Sequence, residues 1–185
     1  MSDTAHRMHP STVEELLALP GTELGPTSWH QVTQERIDSF ANSTGDRQWI
    51  HVEPARAATS VFGSTIAHGL YTLSLGPVLF ESLLSSEKFT HCVNYGYEKV
   101  RFPAPLPVGA WIRMHAKVLS VQDLGGGEAH FVTRQTFERK DLDKPVCVAE
   151  QVMVALSQVT VTTPRSGSKP AARSSGAGAG VYQSQ

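Results

Sequence analysis

The stretch from His68 to Leu84 reads HGLYTLSLGPVLFESLL, and its apolar residues decide the fold. Leu70, Leu73, Leu75, Val78, Leu79, Phe80, Leu83 and Leu84 recur at helical spacing and cover nearly the whole circumference. A helix that is apolar all round is buried on several sides. Gly76-Pro77 within it predicts a kink or local break, because proline offers no N–H and crowds the preceding turn. After Lys88 the period becomes alternating. Val93, Tyr95 and Tyr97 alternate between His91 and Val100. Ile112, Met114, Ala116 and Val118 do so between Trp111 and Val121. Phe131, Thr133, Gln135 and Phe137 do so between His130 and Arg139, and Val146 to Ser157 reads as a long final strand. Pro103, Pro105, Pro107 and Gly109 mark a turn-rich crossing. Gly125-Gly126-Gly127 and Asp141 to Lys144 mark turns.

Upstream of that stretch the chain reads as helices. Ser11 to Glu14 opens a short one with the flavour of a capping box, and Pro20-Gly21 ends it. Ser28 to Val32 is a short extended piece. Thr33 is the expected N-cap of a second helix, with Ile37 and Phe40-Ala41 on its apolar face and Gly45 at its end. Glu53 to Ala58 reads as a further helical turn. Helices followed by strands argue for α+β, as one curved antiparallel sheet wrapped around a long apolar central helix.

The chain has 185 residues, enough for one domain with a sizeable core. The domain is expected over residues 11–160. Residues 1–10 are expected to be flexible, and 161–185, rich in Gly, Ser and Ala, to be disordered. A formal net charge of −1 gives no basic excess for a nucleic-acid partner. No apolar run is long enough for a membrane span, and MSDTAHRMHPST lacks the basic-then-apolar order of a secretion signal. A cytoplasmic protein is the expectation. Cys92 and Cys147 lie in apolar surroundings and read as buried free thiols. His30, His91, His115 and His130 are scattered without metal-ligand spacing, so no metal and no cofactor is expected.

The chemistry concentrates in Thr44-Gly45-Asp46-Arg47-Gln48-Trp49-Ile50-His51. On a regular helix Asp46 and His51 would diverge by about 140° around the axis. In a loop opened by Gly45 they can converge on one water, orient it and take its proton. An Asp after a helix-ending Gly also often caps local backbone. The second segment is Ile66-Ala67-His68-Gly69-Leu70, at the start of the apolar helix. The first N–H groups of a helix have no internal partner, and Gly69 allows a carbonyl to approach the backbone closely. Losing one such donor typically costs about 2.7–4 kcal/mol of transition-state stabilisation. His68 is either a substrate contact or a helix-start residue bonded to backbone. Lys99 and Arg101 either hold phosphates or form a solvated strand end.

Gly45-Asp46, His51, Ala67-His68-Gly69 and Lys99-Val100-Arg101-Phe102-Pro103-Ala104-Pro105, taken in this spacing, resemble the MaoC-like (R)-specific enoyl-CoA hydratases of the hotdog fold. The resemblance runs over roughly residues 25–157. It implies a hydro-lyase that reversibly hydrates 2-enoyl thioesters to (R)-3-hydroxyacyl thioesters. It places catalysis on Asp46 and His51 and the carbonyl-binding N–H on Gly69. Gln48-Trp49 stands where the family often has Asn-Pro, and Gln48 is expected to replace the Asn hydrogen bonds. With His68 and Arg101, Gln48 completes the expected substrate-binding set. The resemblance further implies an acyl-CoA or acyl-carrier-protein substrate, a place in fatty acid metabolism and a homodimer. Two alternatives remain at this level. One is a hotdog thioesterase, against which the first acid after His68 is Glu81, deep in the helix. The other is a non-catalytic acyl-thioester-binding subunit.

Overall fold

Residues 7–157 are described by a computed structural model; the remaining residues, which include most of the expected flexible N-terminus and the whole expected tail, lie outside the described residues. Near the N-terminus the Met8 N–H donates to Leu83 O, and the Ser85 N–H donates to Met8 O, both at 2.8 Å. Arg7 pairs with Glu81 at 2.7 Å.

The first helix, α1 (Val13–Leu17), is capped one residue later than the sequence suggested. Thr12 Oγ1 accepts from the Glu15 N–H at 3.2 Å, while Glu15 reaches back to the Ser11 N–H at 2.6 Å. Strands β1 (Glu23–Leu24) and β2 (His30–Gln31) follow, too short to show a period. Helix α2 (Gln34–Thr44) is bounded as expected. Thr33 is its N-cap, and Gly45, at φ +79°, closes it with an N–H bond to Ala41 O at 2.9 Å. The left-handed conformation there favours glycine. Two short helices, α3 (Trp49–Val52) and α4 (Pro54–Ala58), come next.

The long central helix is corrected to two six-residue pieces, α5 (Gly69–Ser74) and α6 (Gly76–Glu81), meeting at Leu75. Pro77 lies in the first turn of α6, where its missing N–H costs no internal bond. The pair is also not buried all round. Leu70 is 60% and Val78 65% exposed, and they lie eight residues apart on one uncovered side. Tyr71, Leu73 and Phe80 face inward.

Four long strands complete the chain: β3 (Phe89–Arg101), β4 (Trp111–Gly125), β5 (Glu128–Arg139) and β6 (Leu142–Ser157). The antiparallel order is β1-β4-β5-β6-β3, with β2 also on β4. Gly125, Gly126 and Gly127 all take positive φ in the β4–β5 turn, and Asp141 does so in the next. Ile112, Met114, Val118, Phe131 and Phe137 are buried on the inner face, against α5 and α6. A curved antiparallel sheet around a central helical segment is the hotdog arrangement, so the expected α+β class holds. The free thiols of Cys92 and Cys147 are pushed by burial up to about 11 and about 12.

Candidate active site

His51 sits on α3 with 7% of its surface exposed. Its Nδ1 lies 2.7 Å from Ile66 O. A carbonyl oxygen only accepts, so Nδ1 carries the proton, and in the neutral ring Nε2 keeps a free lone pair. Burial pulls the His51 pKa below its ordinary value, and the nearby His68 adds to this. The bond to Ile66 O and the charge of Asp46 pull the other way without reversing it.

The backbone that holds His51 is stapled from three sides. The Ile66 N–H donates to Ile50 O at 3.0 Å, and the His51 N–H donates to Gln48 O at 2.9 Å. Gln34, at the start of α2, donates through Nε2 to both His51 O and Asp38 Oδ1, each at 2.8 Å. Buried Thr65 donates to Gln34 Oε1 at 2.5 Å. A glutamine in a first helical turn looks unremarkable in a sequence, and only the fold reveals Gln34 as a positioning residue.

Asp46 follows the left-handed Gly45, and its side chain is 52% exposed. Its Oδ1 accepts from the Gln48 N–H at 3.4 Å, and its N–H donates to Thr44 Oγ1 at 3.3 Å. Gln48 therefore touches both Asp46 and His51 through its backbone.

His68 binds the pair together. It is 4% exposed and caps α5. Its ring stacks on His51 at 3.6 Å and 25°, and Phe40 packs against it at 5.1 Å. Nε2 donates to the Asp46 backbone O at 2.9 Å and lies 3.9 Å from Oδ2. Its Nδ1 is buried with no partner among the described residues. One polar atom from each of Asp46, His51 and His68 falls within 4.8 Å of the others. Two groups so spaced can share one water. The same three could meet a cation, but His68 Nε2 would first have to give up its proton and its bond to Asp46 O.

Gly69 begins α5. A Cβ there would lie 2.9 Å from the Phe102 ring, so Phe102 sits tightly over this glycine. The two residues help line a cavity of about 300 Å³ with His51, Thr72, Leu106 and Val146. The Ala67 N–H bond to Leu106 O, 2.7 Å, fixes the helix entrance against the proline-rich crossing. Arg101 is not brought into this cavity. It is exposed, and its Nη1 donates to Val100 O at 2.7 Å. Lys99 pairs instead with Glu150 at 2.8 Å, a carboxylate that Arg134 also holds at 3.0 Å. Those contacts keep the Glu150 carboxyl below its usual range.

Residues 15–141 match the family described as MaoC like domain. The chain belongs to the MaoC-like domain family. Among curated relatives, this MaoC-like chain is 44% identical over 142 residues to the 3-hydroxyacyl-thioester dehydratase Z of Mycobacterium tuberculosis, covering 77% of this chain and 94% of that protein. It is 36% identical over 152 residues to nodulation protein N of Rhizobium meliloti, covering 80% and 93%. Among solved structures, the R-hydratase PhaJ1 from Pseudomonas aeruginosa superposes with a TM-score of 0.62 at 23% identity, over 80% of this chain and 87% of that one. The monoamine oxidase regulatory protein from Archaeoglobus fulgius gives 0.65 at 22%, over 80% and 97%. At those identities the structures establish the fold. The family match ends at residue 141, and β6 beyond it pairs with β5 and β3 in the same sheet. Among the described residues no helix is long and apolar enough to cross a membrane.

Proposed function

We propose that the protein is a hydro-lyase that reversibly hydrates 2-enoyl thioesters to (R)-3-hydroxyacyl thioesters. The observation that carries this reading is a buried His51 with its proton on Nδ1 and its pKa lowered by burial, on the wall of a largely apolar cavity and in a cluster whose Asp46, His51 and His68 polar atoms lie within 4.8 Å of one another. The dehydratase relative supports the same class of reaction.

In the hydration direction Asp46 orients a water and His51 Nε2 takes its proton. The water oxygen bonds to carbon 3, and the electron pair of the double bond moves toward carbon 2 and the thioester carbonyl. The Gly69 N–H donates to the oxygen that gains charge. His51 then returns that proton to carbon 2 on the face the water attacked, and the face of carbon 3 turned toward the water sets the (R) configuration. Atoms balance as one water added. Arg101 is assigned the phosphates of a CoA or acyl-carrier-protein arm, being exposed and adjacent in sequence to Phe102 of the cavity wall. A second copy is assigned to β3, which among the described residues has β6 on one side only. A thioesterase reading is not favoured, because Glu81, the acid of α5 and α6, is taken by Arg7 at 2.7 Å.

Loss of the conjugated enoyl-thioester absorbance tests the proposal. Asp46→Asn and His51→Ala should each lower kcat by about 10²–10⁴-fold while the protein stays folded. Full activity in either variant, or release of free thiol without hydration, overturns it.

A further inference from the structure

The cavity beside His51 holds a second polar side chain. Of the residues that line it, only His51 and Thr72 carry a polar side-chain atom; Phe102, Leu106 and Val146 are among its apolar walls. Thr72 is 2% exposed. Hydroxyls elsewhere in the helices return to a carbonyl of their own helix. Ser39 donates to Glu35 O at 2.8 Å, Thr44 to Phe40 O at 2.9 Å and Ser74 to Tyr71 O at 2.7 Å. Thr72, two residues before Ser74 on α5, makes no such bond, and its hydroxyl has no partner among the described residues. The polar atoms sealed in the core without a partner are others, Gln135 Oε1 and Thr133 Oγ1 among them, so Thr72 Oγ1 opens on the cavity that the residue lines.

A threonine in a helix ordinarily satisfies its hydroxyl on the carbonyl three or four residues back. A hydroxyl withheld from that bond, among apolar walls, costs stability unless something else answers it. Thr72 is three residues on from Gly69, and helical residues so spaced are neighbours on one face, about 5–6 Å apart. Side chains lean toward the helix N-terminus, so Thr72 leans back over the turn that Gly69 begins. Two donors each about 2.9 Å from one oxygen stand at most about 6 Å apart. A carbonyl oxygen has two lone pairs and takes two such bonds.

We propose that the Thr72 hydroxyl is the second donor to the thioester oxygen, converging on it with the Gly69 N–H. As water bonds to carbon 3, charge moves onto that oxygen, and a donor already in place stabilises it without reorganising. Thr72 keeps its own proton throughout; it lends a hydrogen bond and transfers nothing. This inference rests on the acyl-thioester reading above and adds a catalytic residue to it.

The test follows hydration of crotonyl-CoA by the wild type, Thr72→Val and Thr72→Ser. Thr72→Val keeps the shape and removes the donor, so kcat should fall about 10²-fold with little change in KM. Thr72→Ser keeps the hydroxyl and should recover most of the rate. A second measurement reads the oxygen itself, by infrared spectroscopy of bound butyryl-CoA carrying an isotopic label at the carbonyl. That thioester has no double bond to hydrate. Its carbonyl stretch should fall to lower wavenumber on the wild type, and Thr72→Val should give back part of the shift. Binding of S-butyl-CoA, a thioether without the carbonyl, should not distinguish the two proteins. Thr72→Ala replaces Thr72→Val if the latter does not fold. Wild-type kcat in the variant without a hydroxyl, an equal loss in Thr72→Ser, or an unchanged carbonyl shift overturns the inference. So does a wild type that does not bind butyryl-CoA. A wild type that binds butyryl-CoA but hydrates nothing counts against the parent reading, whereas the carbonyl shift still decides this one.

Discussion

At the scale of single residues, the protonation state proposed for His51 rests on two contacts that no sequence window displays. Ile66 O fixes the proton on Nδ1, and the His68 ring lies flat on the imidazole. Burial is the main cause that lowers the His51 pKa, with His68 adding to it. The base form is the neutral one, so a lowered pKa keeps the base available down to more acidic pH. The acid limb of the kcat/KM profile should therefore have its midpoint below the ordinary imidazole value. A limb at or above that value would show that another group controls the rate. The stability sign is the same. Native His51 binds a proton less readily than the unfolded chain, so its contribution is full above the ordinary imidazole value and is lost as pH falls through the folded one. His68, expected either to touch substrate or to bond backbone, bonds the Asp46 carbonyl and stacks on His51. It works through the other two.

At the scale of elements, the site is a meeting of α2, α3, the loop after Gly45 and the entrance to α5. Gln34 joins three of these parts with one amide. Gln34→Leu would strand His51 O and the buried Thr65 hydroxyl. The expected cost is about 1–3 kcal/mol, which appears as a drop of several degrees in Tm. Because His51 loses its support while the cavity walls stay, kcat should fall more than KM rises. Unchanged Tm and kcat would show that the staple is dispensable. The break at Leu75 belongs to the same scale. Gly76-Pro77 gave notice of it, but the interaction that makes Gly76 necessary comes from Gln135 on a strand about sixty residues later.

At the scale of the molecule, β3 is, among the described residues, a thirteen-residue edge that is mostly exposed on both faces. Val93 is 51% and Tyr95 71% exposed. A long open edge of this kind invites pairing with another strand, and a second copy related by a two-fold axis is the commonest solution. The protein should sediment as a dimer. The variant Val93→Lys/Tyr95→Lys should shift it toward monomer at micromolar concentration. A wild-type monomer in sedimentation velocity would place the partner elsewhere. The uncovered side of the central segment at Leu70 and Val78 belongs to the same question.

The amino-acid order alone determined the four long strands, the Thr33 and Gly45 boundaries of α2 and the break at Gly76-Pro77, and it singled out Asp46, His51 and Gly69 as candidates. These are local properties: period, capping chemistry and proline geometry act within a few residues. The short strand β1 escaped because two residues carry no period and are defined only by their partner β4, whereas β2 falls within the extended piece expected over Ser28 to Val32. Tertiary structure decided the rest. It divided the central helix and left one side of it open. It turned Arg101 away from the cavity and placed Lys99 on Glu150. It also brought Gln34 to His51 and set Gln135 against Gly76. Each of these depends on contacts between residues distant in the chain, and such contacts exist only once the sheet has closed on the helical layer.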